Sequence, residues 1–180
     1  MMSEVCYALF RTEIGTCAIA WGQRGVLAIE LPASDDSRTR ARILRRWPVA
    51  AVTAPPDDIR CWIGEIVALL EGETRGLHEV ALDMTDVPEF NRRVYEVARA
   101  IPPGSTRTYG DIATDLGDPL LARAVGQALG QNPFPIVIPC HRVTAAHGSI
   151  GGFSAPGGAH TKVRMLAIEG VQVGEQLALF

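Results

Sequence analysis

The sequence predicts two domains of different class: an α/β domain over residues 1–85, then a mainly helical domain over residues 86–180 that contains a helix-turn-helix. Short β-type runs broken by glycine fill the beginning, whereas from residue 86 the apolar residues recur at helical spacing. A chain of 180 residues with 47% apolar side chains has material for one large core or two small ones.

The stretch VCYALFRTEIGTCAIAWGQRGVLAIELP alternates β-type runs with breaks at Gly15 and at Gly22 to Gly25, which predicts a meander of two or three strands. DSRTRARILRRW predicts a helix. After the proline-rich TAPPDD, the run IRCWIGEIVALLEG places Trp62, Ile63, Ile66, Val67, Leu69 and Leu70 at helical spacing, with Gly72 closing the helix. HEVALDM then returns to strand, and the mixture within about eighty residues is that of a small α/β domain.

In the second half, Asp86 and Glu89 form a D-x-x-E helix start, with Phe90, Val94, Val97 and Ile101 along one face and PPG at 102–104 as the stop. TYGDIATDLG opens on Thr108 and closes at Gly117. DPLLARAVGQALG opens with Asp118 as N-cap and Pro119 in the first helical position. Two short helices across a tight glycine turn predict a helix-turn-helix. On the second of them Leu121, Ala124, Val125, Ala128 and Leu129 form the buried side, and Arg123, Gly126, Gln127, Gly130 and Gln131 the opposite one. Glycines cost helix stability, so two on one face suit either the close approach of another body or a glycine-tolerant surface with a solvated arginine.

Charge and cysteine usage bound the function. A formal net charge of -3 argues against a protein that coats nucleic acid indiscriminately, and leaves room for a local basic surface. Residues 1–87 carry 9 basic and 13 acidic side chains and residues 88–180 carry 8 and 7, so a polyanion meets the second half more readily. Lys162 is the only lysine. The four cysteines Cys6, Cys17, Cys61 and Cys140 lie far apart with no C-x-x-C pair, which signals neither a disulfide framework nor a zinc knuckle and fits reduced thiols. The start lacks a basic region followed by an apolar one, and no window approaches 18 uninterrupted apolar residues, so the expected location is the cytoplasm, away from membranes.

The run PIVIPCHRV, Pro135 to Val143, ends an apolar extended stretch in a thiol, an imidazole and a guanidinium. A cysteine nucleophile needs a base, and His141 is the obvious candidate. Neighbours in an extended chain point to opposite faces, however, so the pair needs a bend or a bridging water to communicate.

Taken in order, Y-G-D-I-A, A-R-A-V-G, N-P, P-I-V-I-P-C-H-R-V and G-S-I-G-G-F-S resemble the O6-alkylguanine-DNA alkyltransferases over Phe90 to Gly170, the P-C-H-R core being the most specific part. The resemblance implies a ribonuclease-H-like first domain, a winged helix-turn-helix in the second, and a monomer that binds double-stranded DNA in the minor groove. It implies repair of O6-alkylguanine, and of O4-alkylthymine, by irreversible transfer of the alkyl group to Cys140, once per molecule and without cofactor. By the same resemblance His141 holds the water that takes the thiol proton, Glu169 in I-E-G orients His141, and Asn132 braces the turn before the cysteine segment. Tyr109 crowds the target phosphate and bonds the base. Arg123 enters the stack that the flipped base leaves, beside Gly126, Gln127 and Gly130. Pro135, Val143, Phe153, Ser154 and Lys162 line the alkylguanine pocket, and Arg142 braces the two domains through carboxylates.

Two departures stand out. Ala155 and Pro156 lengthen the glycine-rich loop, and Gly22 and Leu27 occupy positions where some animal relatives carry zinc ligands, so no metal is expected. Two rival readings differ in class. A non-catalytic lesion binder would replace the cysteine, which Cys140 argues against. A cysteine hydrolase would need a third orienting group and an oxyanion hole that the sequence does not reveal.

Overall fold

A computed structural model describes residues 4–172 and divides the chain into two compact units. The first comprises Met1–Asp86 with Pro133–Val137, the second Val87–Asn132 with Ile138–Phe180.

The first unit is a sheet with two helices. The meander forms as three antiparallel strands, β1 (Cys6–Thr12), β2 (Gly15–Gly22) and β3 (Gly25–Glu30), and a two-residue strand β4 (Ala51–Val52) adds parallel to β1, giving the order β3-β2-β1-β4. The central strand β2 is buried along most of its length. Its Cys17 thiol is pushed up to about 12 by burial, which makes it inert. Helix α1 (Asp36–Arg46) begins where the Asp35 carboxylate accepts the Arg38 amide at 2.8 Å, and it lays Ile43 against Tyr7, Ala18 and Ala20. Helix α2 (Asp57–Leu70) buries Ile59, Ile66, Leu69 and Leu70, while Trp62, Ile63 and Val67 of the expected face are only half-buried.

The strand expected over HEVALDM does not form. The chain turns through residues 77–80 and meets β3 in a single bridge, Leu82 to Val26, held by Val26 N donating to Ala81 O and Asp83 N to Val26 O, both 2.8 Å. The segment before Cys140 is likewise no strand. Ile136 sits at φ 76°, in the left-handed region that a β-branched residue adopts only under constraint, and the run bends while burying Phe134, Ile136 and Val137. Its apolar composition reflects burial on all sides, which an extended strand and a tight turn express alike.

The second unit is mainly helical: α3 (Glu89–Arg99), α4 (Tyr109–Asp115), α5 (Ala122–Gly130) and α6 (Gly158–Ile168), with one parallel pair of two-residue strands, β5 (Arg107–Thr108) and β6 (Val143–Thr144). Asp86 does not cap α3. Pro88 holds the residue before it out of the helical region, so the helix starts at Glu89 and has no side-chain cap. The face it buries is Asn91, Val94, Tyr95 and Ala98; of the expected stripe Val94 and Ile101 are buried, while Phe90 and Val97 are half-buried. From that face the Tyr95 hydroxyl donates to Ala128 O at 2.8 Å and the Asn91 amide to the Gln131 side chain at 3.1 Å, fastening α3 to α5 and the residue after it. Thr108 and Asp111 form a reciprocal capping box on α4. Asp118 caps as expected, but what it caps is one 3-10 turn over Pro119–Leu121, so the α-helix begins at Ala122.

Two glycines of the first unit make opposite predictions. Gly25 has φ 125°, and a Cβ there would collide with the Ala81 carbonyl, whereas exposed Gly64 in α2 has open space around it. Gly25→Ala should cost at least about 2 kcal/mol of unfolding free energy. Gly64→Ala should add up to about 1 kcal/mol, both read from urea midpoints.

Candidate active site

The bend that the sequence demanded at Cys140 is a 3-10 turn. Pro139 leads into it at φ -79°, ψ 64°, and Cys140–Arg142 complete it, with Cys140 N donating to Ile138 O and Arg142 N to Pro139 O, each at 2.8 Å. Asn132 supports the entry, its amide donating to Ile138 O at 2.9 Å and bonding the thiol as well. A turn of this pitch separates successive side chains by about 120°, so Cys140 stays partly accessible while His141 and Arg142 point inward and are buried.

Behind the thiol the two inward side chains converge on one carboxylate. Glu169, the C-cap residue that follows α6, places Oε1 2.8 Å from His141 Nε2. Arg142 Nη2 donates to Oε1 at 2.7 Å and Nε to Oε2 at 2.9 Å, a bidentate grip on the same group. The remaining arm of Arg142 donates from Nη1 to Ile101 O at 2.6 Å, and Gly104 N reaches Glu169 Oε2 at 3.4 Å. The carboxylate expected for Arg142 is therefore present, but it belongs to the same unit: Arg142 braces the second unit internally, because its partner is carried by the helix that packs beside its own turn.

Electrostatics follow from this packing. Burial pushes the Glu169 carboxyl up, but hydrogen bonds and charge from His141 and Arg142 outweigh it and hold the group down at about 2. Burial lowers the His141 imidazole against the opposing pull of Glu169, so the ring is neutral. An ionised Glu169 can only accept, which assigns the proton to Nε2 and leaves Nδ1 as a basic lone pair. That nitrogen is buried and makes no hydrogen bond to another protein group. Burial raises the Cys140 thiol, opposed first by the Asn132 hydrogen bond, then by the Lys162 charge and by the Cys140 and His141 backbone amides.

Lys162 is fully buried, which the sequence left open. Its Nζ donates to Val143 O at 2.6 Å and lies 5.8 Å from the Tyr109 ring centre and 5.9 Å from that of Phe153, while burial brings its ammonium down to about 8. One cation thus joins α4, the glycine-rich loop and α6. Tyr109 is the first residue of α4, half-buried, with its hydroxyl 3.4 Å from Gly152 O and its acidity lowered by burial. Ser154 is exposed and donates to Gly130 O at 2.9 Å. Arg123, Gln127 and Gly130 stand exposed on α5, and a Cβ on half-buried Gly126 would meet the Tyr109 ring at 3.8 Å. Pro135 is half-buried in the segment grouped with the first unit. Sequence reasoning missed Tyr95, whose hydroxyl burial raises to about 12 and which senses the Cys140 charge. The signal was there, since it lies four residues from Asn91 on the buried face of α3.

A mixed α/β unit followed by a helical unit that carries a thiol over a buried His-Glu-Arg network defines a class in which a single cysteine does the chemistry. Residues 89–171 match the family described as 6-O-methylguanine DNA methyltransferase, DNA binding domain. The chain is 44% identical over 164 residues to the methylated-DNA–protein-cysteine methyltransferase of Methanosarcina acetivorans, covering 91% of this chain and 97% of that one. It is 36% identical over 163 residues to the protein of that name from Methanothermobacter thermautotrophicus, covering 88% and 81%. The crystal structure of Mycobacterium tuberculosis OGT in complex with DNA superposes with a TM-score of 0.69 at 31% identity over 92% of this chain and 93% of that one. The chain belongs to the methylated-DNA–protein-cysteine methyltransferase family.

The Glu169 network makes stability depend on acid. A carboxyl held at about 2 against an ordinary 4.5 stabilises the fold fully above pH 4.5 and loses that contribution as pH falls toward 2. Wild type should therefore show a steeper loss of urea midpoint between those limits than Glu169→Gln, which has no carboxylate to protonate. The variant should also be less stable at pH 7 by a few kcal/mol, about 3, because Arg142 loses its charged partner while buried.

Proposed function

We propose that this protein repairs DNA by flipping O6-alkylguanine, and also O4-alkylthymine, out of the duplex and transferring the alkyl group to Cys140. The observation that carries the reading is the oriented, neutral His141, with Nε2 committed to Glu169 and a buried, basic Nδ1 facing away from it. A water between Nδ1 and the Cys140 sulfur takes the thiol proton and passes one to the imidazole. The imidazolium that results is stabilised by ionised Glu169. The thiolate then attacks the alkyl carbon, the S–C bond forms as the C–O bond breaks, and guanine leaves with the electron pair and takes up a proton. Tyr109, kept protonated by burial, is the hydrogen-bond donor to the departing base. Lys162 favours the thiolate by charge and, with Phe153, Ser154 and Val143, shapes the pocket. Asn132 holds the turn in place.

The relative from Mycobacterium tuberculosis was crystallised in complex with DNA, and DNA is the partner assigned to this chain. Helix α5 lies in the minor groove, where the thin face at Gly126 and Gly130, beside Gln127, admits the backbone, and Arg123 fills the gap that the flipped base leaves. The finer architecture in this reading is a ribonuclease-H-like domain over 1–85, supported by three antiparallel strands with a parallel fourth, and a winged helix-turn-helix over 86–180, supported by α4, α5 and the β5–β6 pair. The protein works as a cytoplasmic monomer without metal or cofactor. Among the described residues no helix is long and apolar enough to cross a membrane.

The product is a thioether, which offers water neither a carbonyl nor a stabilised leaving group, so the thiol is not regenerated. Incubated with excess methylated duplex, the protein should take up one methyl per molecule on Cys140, seen by intact-protein and peptide mass spectrometry. Many turnovers, or a methyl on another residue, would overturn the assignment. An unmodified protein that stays bound to DNA would favour a lesion binder instead.

Arg123→Ala separates base flipping from chemistry. It should slow methyl removal from duplex DNA by tenfold or more, about 1.4 kcal/mol, while reaction with free O6-benzylguanine changes little. Equal losses on both substrates would refute the wedge role.

A further inference from the structure

We propose that Leu120 is a DNA-contacting residue whose apolar side chain packs against the deoxyribose wall of the groove beside Arg123. This rests on the repair reading above and deepens it. Large hydrophobic side chains exposed among the described residues are Val49, Val52 and Leu120, and Leu120, at 89% exposure, is the most open of them and the one carried by the second unit. Its exposure is rigidly presented. Pro119 fixes the preceding φ, and the Asp118 carboxylate accepts Leu120's own amide at 2.9 Å, so the 3-10 turn holds this residue at the head of α5.

Position supplies the second argument. Leu120, Arg123, Gln127 and Gly130 follow one another at intervals of three, four and three residues, the spacing of a single helical stripe, and all four are exposed. The stripe assigned to DNA thus starts one turn before Arg123, and it starts with a neutral branched side chain. A side chain that meets phosphate needs a hydrogen-bond donor, which leucine lacks. A leucine instead matches the C–H surface of the sugars that wall a groove, and apolar side chains, leucine among them, are the usual wedges of proteins that open the minor groove. Arg123 and Leu120 then divide the work: the arginine occupies the stack, and the leucine packs against the neighbouring sugar and adds affinity that salt does not screen.

The full-length chain with Leu120→Ala tests this, with Leu120→Lys as a second variant. Since the side chain is nearly free in solution, the unfolding temperature should move by no more than about 2 °C. The dissociation constant for undamaged duplex should rise about 5-fold, the loss expected for part of a leucine's burial. The slope of log affinity against log salt between about 50 and 200 mM should stay that of wild type, because an apolar contact releases no counterion. The ratio of the methyl-transfer rate on duplex to that on free O6-benzylguanine should fall by a similar factor. Leu120→Lys should recover affinity with a slope steeper by about 1. Unchanged affinity and rate ratio in Leu120→Ala, or a changed salt slope, overturn the inference. So does loss of self-association in sedimentation with DNA affinity intact, which would make the leucine a protein contact. A wild-type protein that takes no methyl on Cys140 fails the repair reading, whereas a methylated wild type with an indistinguishable Leu120→Ala fails this inference alone.

Discussion

One carboxylate holds the second unit's centre in place. Glu169 receives the His141 imidazole, both faces of the Arg142 fork and the Gly104 amide, so α6, the turn at Cys140 and the loop after α3 meet on two oxygen atoms. These partners come from two segments far apart in the chain, the loop after α3 and the turn at Cys140. Removing the charge leaves a guanidinium buried without its counter-ion, a state that proteins tolerate poorly. The same charge fixes the imidazole tautomer, so the group that secures the packing also decides which ring nitrogen is basic.

The thiol is caught between opposing effects. Burial raises its pKa, which protects a free cysteine from adventitious oxidation, and four donors or charges act in the other direction: Asn132, Lys162 and the amides of Cys140 and His141. Lys162 has the widest reach. As a buried cation it meets the Val143 carbonyl and two aromatic faces, and its weakened basicity, about 8, shows how much solvation it has given up to stand there. A solvent-exposed lysine would be screened by water and would favour the thiolate far less. By contrast Cys17, buried in the first unit without such company, is driven to about 12 and is chemically silent.

Much of this was legible in the residues. The glycine-broken strands, the Thr108 cap, the Asp118-Pro119 start and the adjacency of Cys140 and His141 are local signals, written within a few residues of one another, and the chain obeys them. Where local reading went astray, a competing constraint was at work. A D-x-x-E pattern at Asp86 lost to Pro88, which disfavours helical backbone in the residue before it. HEVALDM and the run before Cys140 carried strand composition, but burial selects the same apolar residues for turns as for sheets, and Ile136 shows the turn winning.

The sequence by itself determined the class of each half, the starts of α1 and α4, and the adjacency of the thiol and the imidazole, because each depends on spacing along the chain. Only the tertiary structure decided that Glu169 is shared between His141 and Arg142, that Arg142 braces its own unit through Ile101, that Lys162 is buried between two rings, and that Leu120 is left bare. These are facts of distance between residues tens of positions apart. Burial and the charges it brings together set them, and neither quantity exists until the chain has closed on itself.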